Sequence, residues 1–111
     1  MKIVCHQEIE KDFKKLKRFP SPKESLESWK RLFNSKGLKE TPGIKSYPGF
    51  GSAKIYKARV VPLQENRGKS DGYRLIFQLI DDDTCLILLF SRHGLYNNER
   101  ELINYIKERL K

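Results

Sequence analysis

Three strand-like segments in the second half of the chain constrain its fold more than any other feature. Residues 54–61, 73–80 and 84–91 are rich in β-branched, aromatic and aliphatic side chains, as is typical of β-strands. Three consecutive aspartates, residues 81–83, separate the last two segments and indicate a hairpin turn. Residues 85–90 are almost wholly apolar, so we expect a central strand that is covered on both faces.

Two segments before these strands have the periodicity of amphipathic helices, with an apolar stripe that should lie on the sheet. The stripe consists of Ile9, Phe13, Leu16, Leu26, Trp29, Leu32 and Phe33. We expect Pro20 to end the first helix, because the residue before a proline avoids the α region. Ser21 and Glu24 have the spacing of a capping box at the start of the second helix. Gly37 is expected to end that helix by adopting a positive φ.

Helical periodicity returns over residues 98–111, where Asn98 and Glu101 are spaced as another capping box. With a short strand-like segment at residues 2–6, the predicted order is β-α-α-β-β-β-α. This order predicts an α+β fold, in which two N-terminal helices pack on one face of a mostly antiparallel sheet. The length predicts a single domain over residues 1–111. The opposite face of the sheet should remain at least partly open.

The charge balance indicates a polyanionic partner. The 111 residues include 23 Lys and Arg against 14 Asp and Glu, which gives a formal net charge of +9. Such an excess attracts nucleic acid, an anionic membrane or an acidic protein, and the charge alone does not distinguish them. Clusters of basic residues are also typical of an ordinary solvated surface.

Several other classes of location and site lack support in the sequence. No apolar stretch is long enough for a signal peptide or a membrane span, so we expect a cytoplasmic protein without a membrane partner. Cys5 and Cys85 lie far apart, and we expect both to be reduced and buried in strands, with a disulfide as the less favoured interpretation. Metal-binding and nucleotide-loop motifs are missing, so we expect no metal and no cofactor.

Successive side chains of a strand point to opposite faces of the sheet. Several cations should therefore lie together on the face opposite the larger apolar side chains. Lys57 and Arg59 point away from the side of Tyr56, and Arg74 points away from the side of Tyr73. Basic and aromatic residues that follow the third long strand should lean over the same face. The candidate site residues are therefore Lys57, Arg59, Arg74, Arg92, His93 and Tyr96.

A cluster of fixed cations with a titratable ring suits the cleavage of RNA by its own 2′-hydroxyl. Negative charge develops on the five-coordinate phosphorus, and positioned arginines stabilise that transition state more than the ground state. His93 could accept the 2′-hydroxyl proton or donate a proton to the leaving oxygen. A tyrosine could stack on a base. The plainer interpretation is that these cations only keep a solvated sheet face soluble.

The central part of the chain resembles toxins of the RelE/ParE superfamily. The resemblance is carried by residues 57–60, Lys-Ala-Arg-Val, and by residues 68–77, Gly-Lys-Ser-Asp-Gly-Tyr-Arg-Leu-Ile-Phe. It is closest to the RelE/HigB-like branch, and its specific part covers residues 54–93. The resemblance implies a RelE-like fold and the toxin of a type II toxin–antitoxin system. Many such toxins cleave mRNA on the ribosome without a metal, whereas others poison gyrase.

The same resemblance implies roles for the candidate residues. Arg74 matches the arginine of the Gly-Tyr-Arg motif, and Lys57 and Arg59 match the basic strand before it. Arg92 or His93 matches the basic position after the last strand, and Tyr96 aligns approximately with a late tyrosine. The implied partners are a cognate antitoxin, mRNA and the ribosome. The alternatives are a ParE-type toxin that inhibits DNA gyrase without nuclease activity, or a basic RNA-binding module without catalysis.

Overall fold

The computed structural model describes residues 1–19, 21–62, 72–92, 95–96 and 98–110, and within these ranges the chain is an α+β protein. Three helices and a five-stranded mixed sheet account for its regular structure there. The elements are β1 (Lys2–Cys5), α1 (Ile9–Lys15), α2 (Pro22–Glu40), β2 (Ile44–Ser46), β3 (Lys54–Val60), β4 (Tyr73–Asp81), β5 (Thr84–Arg92) and α3 (Glu99–Arg109).

The sheet has the strand order β1-β5-β4-β3-β2, so the apolar strand β5 lies inside it. β1 pairs with β5 in parallel, and the other three pairings are antiparallel. The predicted class and the mostly antiparallel sheet are confirmed. The predicted order lacked β2, because a three-residue strand between Pro-Gly pairs is too short for alternation to be recognised.

We call the side of the sheet covered by α1 and α2 the front face, and the side partly covered by α3 the back face. On the front face, Trp29 and Phe33 of α2 stack with centroids 4.8 Å apart, and both rings contact Phe77. On the back face, Leu102 and Ile106 of α3 belong to a second buried cluster. β5 supplies residues to both clusters, which confirms that it is covered on both faces.

The helix ends differ in detail from the predictions. α1 ends at Lys15, well before Pro20, which lies outside the described residues. Ser21 has a φ of 48° and its side chain makes no capping hydrogen bond, so the predicted capping box there is wrong. Gly37 has the expected positive φ, 80°, although a further helical stretch follows it up to Glu40. Asn98 caps α3 as predicted by accepting a hydrogen bond from the Glu101 amide at 2.9 Å.

A bulge in β5 changes which side chains face each helix layer. Ile76 pairs with Leu89 and Phe77 pairs with Ile87, so Leu88 is an extra residue in β5. Alternation therefore slips by one residue, and Phe90 lies in the same front cluster as Ile87.

A buried ion pair makes hydrogen bonds to the backbone of this bulge. It does so just beyond the end of β1, whose pairing with β5 stops at Ile87. Arg109 of α3 donates from Nη1 and Nη2 to the two carboxylate oxygens of Asp12 in α1, at 2.7 and 2.8 Å. Arg109 also donates to the Leu88 carbonyl at 2.9 Å, and the Phe90 amide donates to Asp12 at 2.9 Å. The pair thus satisfies backbone groups of the bulge and fixes α3 relative to α1.

Candidate anion-binding site

Three of the predicted cations meet on the back face. In the antiparallel register Arg59 of β3 lies directly opposite Arg74 of β4, and Lys57 lies opposite Ile76. Lys45 of the unpredicted strand β2 lies opposite Lys57, so it adds a fourth cation. We call these four residues, Lys45, Lys57, Arg59 and Arg74, the basic face. Like charges directly opposite each other destabilise a sheet, and an anion bound between them would offset that repulsion.

The basic face is accessible to a ligand. Lys45 and Arg59 are exposed, and Lys57 is half-buried. The Arg74 side chain keeps 37% of its surface exposed. A ligand that lies across β2, β3 and β4 could therefore contact all four cations without displacing the core.

Two residues that the sequence did not indicate, Tyr47 and Glu99, complete the site. Tyr47 follows β2, is buried, and donates its hydroxyl hydrogen bond to Glu99 Oε1 at the start of α3. Glu99 Oε2 lies 3.5 Å from Arg74 Nη1. The Lys57 ammonium lies 5.2 Å from the centre of the Tyr47 ring. The carboxylate is thus held between a phenol and a guanidinium.

The environment of Tyr47 keeps its hydroxyl protonated. Burial raises the pKa of Tyr47 well above its usual value, and the hydrogen bond to Glu99 and the charge of that carboxylate raise it further. Arg74 acts in the opposite direction but does not cancel these effects. Tyr47 is therefore a hydrogen-bond donor near neutral pH and not a base.

Arg92 does not join the basic face, contrary to the prediction. It pairs with Tyr73 and therefore lies on the front face, where its guanidinium carbon is 5.2 Å from the Tyr73 ring centre and 4.6 Å from that of Phe19. The β5 bulge at Leu88 is the physical reason, because unbroken alternation would have turned Arg92 towards Arg74. His93, the predicted proton carrier, lies outside the described residues.

Tyr96 lies beside Ser91 of β5 and Tyr105 of α3. Ser91, which pairs with Arg74, is among the groups that lower the pKa of Tyr96, but burial dominates and raises that pKa to about 12. Its ring meets Tyr105 edge-on at 5.2 Å, and the Lys15 ammonium lies 5.7 Å from the ring centre. Tyr96 therefore keeps its proton at neutral pH, which fits stacking or hydrogen-bond donation better than proton abstraction.

The sequence contained little signal for Tyr47, Lys45 or Glu99. Tyr47 and Lys45 lie in a Gly- and Pro-rich stretch that resembled a loop. Glu99 could have been noticed as an acidic residue at the first position of a capped helix that follows a basic strand end. That pattern would still not have indicated which cation the carboxylate contacts.

No described helix is long and apolar enough to cross a membrane. No group of three or more His, Cys, Asp and Glu side chains in the described ranges is arranged to hold a metal ion.

Comparison of the chain with family models, with curated proteins and with solved structures gives no match.

Proposed function

We propose that this chain is the toxin of a type II toxin–antitoxin system, with a RelE-like version of the α+β fold. It acts as a metal-independent mRNA endonuclease on the ribosome and thereby inhibits translation. The resemblance of residues 54–93 to the RelE/HigB-like branch suggests this activity. The observation that carries the proposal is the pairing of Arg59 with Arg74, flanked by Lys57, on an accessible sheet face.

The chemistry assigned to these residues follows from their charge and placement. Lys45, Lys57 and Arg59 neutralise the RNA backbone, as cations do in most protein–nucleic acid interfaces. Arg74 binds the scissile phosphate and stabilises the charge that develops when the 2′-hydroxyl attacks. Tyr96 offers a ring on which a base can stack. His93 remains the expected donor or acceptor of a proton.

Partners and location follow from the same proposal. An acidic or amphipathic segment of a cognate antitoxin covers the basic face and neutralises the toxin by occupying its site. The mRNA and the ribosome are the targets, and the protein acts in the cytoplasm. Expression of the chain alone should arrest growth, and co-expression of the product of a neighbouring antitoxin gene should relieve the arrest.

Cleavage of mRNA by the Arg74→Ala variant tests the assignment. Loss of one preorganised donor should lower the rate by about 10²–10³-fold. The exposed contact with Glu99 contributes little to stability, so the fold should survive. The assay uses mRNA on programmed ribosomes with protein that was first treated with EDTA, because the ribosome itself needs magnesium. Lys54→Ala, a loss of the same charge from β3 on the front side, is the matched control.

The product ends decide the chemistry. Attack by the 2′-hydroxyl leaves a 2′,3′-cyclic phosphate or a 3′-phosphate together with a 5′-hydroxyl. Products with 5′-phosphate and 3′-hydroxyl ends would exclude the mechanism. Full activity in Arg74→Ala would remove the proposed phosphate-binding site.

A second candidate is a binding toxin without nuclease activity, of which a gyrase inhibitor is the most specific form. It is favoured by the makeup of the basic face, where the register of β2, β3 and β4 brings together fixed cations and the neighbouring Tyr47 hydroxyl acts as a donor. This candidate predicts RNA or gyrase binding without RNA cleavage. Inhibition of DNA supercoiling by the purified chain, with mRNA left intact, would favour it over the nuclease.

A further inference from the structure

Glu99 places a carboxylate in contact with a face that otherwise attracts anions. One of its oxygens accepts the hydrogen bond of Tyr47, and the other lies 3.5 Å from Arg74 Nη1. Its side chain is 54% exposed, so the carboxylate reaches solvent beside the cations. A phosphodiester that is bound by Arg74 would therefore lie next to this carboxylate.

The buried Tyr47 hydroxyl needs an acceptor, but a neutral amide would accept its hydrogen bond as well, so this contact does not require a carboxylate. The contact with Arg74 joins two partly exposed side chains at 3.5 Å, and such pairs contribute little to folding. The helix dipole favours an acidic residue in the first turn of α3, but it does not require one that contacts Tyr47 and Arg74. A fixed negative charge also repels the RNA that the basic face attracts. The cost in binding suggests that the carboxylate has a chemical task.

Tyr47 gives the carboxylate a defined orientation. Its ring is 8% exposed and meets Phe50 edge-on at 5.3 Å, so the position of its hydroxyl is set by packing. That hydroxyl engages Glu99 Oε1, and Oε2 is directed towards Arg74. A proton-accepting oxygen is thus held beside the group that binds phosphate, which is the geometry that a general base requires.

We propose that Glu99, in place of His93, is the general base that removes the 2′-hydroxyl proton of the RNA, with Tyr47 as its positioning residue. This inference rests on the proposed nuclease function. The 2′-hydroxyl proton moves to Glu99 Oε2 while the O2′–P bond forms and the P–O5′ bond breaks. The leaving 5′-oxygen takes a proton from water, and Glu99 later releases its proton to solvent. The products are a 2′,3′-cyclic phosphate and a 5′-hydroxyl, with no change in oxidation state.

Glu99→Gln separates the two effects of the carboxylate, because the amide still accepts the Tyr47 hydrogen bond but neither carries charge nor takes a proton. The rate of mRNA cleavage at saturation should fall by about 10²–10⁴-fold. Affinity for 2′-O-methyl RNA, which binds but lacks the attacking hydroxyl, should rise by about three- to tenfold because a like charge is removed. Glu108→Gln, at the other end of α3, makes the same charge change and should retain the wild-type cleavage rate.

Two further variants test the role of position. Tyr47→Phe should lower kcat by about tenfold with little change in KM, because the carboxylate remains but is no longer oriented. Glu99→Asp should recover part of the kcat that Glu99→Gln loses. It restores a carboxylate, although the shorter side chain leaves it one methylene further from the bound RNA. Thermal unfolding of each variant checks that the fold is intact.

The possible results separate failure of this inference from failure of the proposed function. If the wild-type chain cleaves mRNA and folded Glu99→Gln cleaves it equally fast, Glu99 is not the base and the nuclease assignment stands. If Glu99→Gln loses cleavage and RNA affinity together, the carboxylate has a structural role and the inference is overturned. If the wild-type chain binds RNA but cleaves none, the proposed function is wrong, and the base assignment is wrong with it.

Discussion

The front and back faces of the same sheet differ in how far helices cover them and in the charge that they carry. On the front face, α2 covers Phe77 with two stacked aromatic rings, and the one predicted site cation found there, Arg92, is buried between aromatic side chains. On the back face, α3 covers only part of the sheet, and Arg59 and Arg74 remain accessible on neighbouring strands. Period-two alternation thus separates the residues that stabilise the fold from those proposed to bind an anion.

This separation implies that substitutions on the two faces have different consequences. Front-face changes should lower the free energy of unfolding and affect RNA binding only through loss of folded protein. Back-face changes should alter RNA binding or cleavage while the free energy of unfolding stays the same or rises slightly. The buried pair of Asp12 and Arg109 should be an exception, because it connects α1 on the front with α3 on the back.

Asp12→Ala should affect both faces of the sheet at once, because it removes the contact between α1 on the front face and α3 on the back face. Removal of the carboxylate leaves the Arg109 guanidinium buried without its partner, and it leaves the Phe90 amide without its acceptor. Breaking a buried ion pair on one side typically costs about 3–5 kcal/mol. Denaturant unfolding of wild type and variant measures the change. Asp12→Ala combined with Arg109→Met should recover part of the loss, because no uncompensated charge remains.

An unchanged free energy of unfolding in Asp12→Ala would contradict the role of the pair. Glu10→Ala is the matched control, because Glu10 lies on α1 two residues earlier but is exposed and contacts Lys23 at 3.5 Å. Exposed pairs of this kind contribute at most about 1 kcal/mol.

Trp29→Ala tests the front face alone. The indole is 5% exposed and contacts both Phe33 and Phe77, so truncation should lower the free energy of unfolding by about 3 kcal/mol or somewhat more. RNA binding per folded molecule should stay the same. Leu32→Ala is the control on the same helix, because Leu32 is 39% exposed, contrary to its predicted place in the apolar stripe. A similar loss in both variants would contradict the difference in burial between Trp29 and Leu32.

Those features of the fold that depend on periodicity could be predicted from the sequence. The alternation of Tyr73, Leu75 and Phe77 correctly indicated the front face, and the composition of residues 85–90 correctly indicated a doubly covered strand. The bulge at Leu88 could not be predicted, since an apolar run has no alternation in which a slip would be visible. That slip is why the expected position of Arg92 was wrong.

Only those site residues that lie on the long strands β3 and β4 could be predicted from the sequence. Lys57, Arg59 and Arg74 followed from alternation, because their strands pair without a shift between Lys54 and Val60. Tyr47 and Glu99 meet across 52 positions of sequence, and no local pattern predicts such a contact.

Arg59→Gln should produce the smallest change and distinguish the two faces most directly, because stability and RNA binding should move in opposite directions. Removing one of two like charges that face each other across β3 and β4 should raise the free energy of unfolding by about 0.2–1 kcal/mol. The slope of log affinity for RNA against log salt should decrease in magnitude by about 1, because one phosphate contact is lost. Fluorescence anisotropy of labelled RNA across a salt series measures that slope.

Lys54→Gln supplies the matched comparison for Arg59→Gln. Lys54 lies on the same strand and is exposed, but it alternates to the front side and pairs with Leu79, so no cation opposes it. The substitution removes the same charge, yet it should change neither the salt slope nor the free energy of unfolding. If both variants weaken RNA binding equally, the attraction arises from the total charge of +9 and not from the basic face. A difference between them means that the register of β3 with β4 places the charge where the ligand binds.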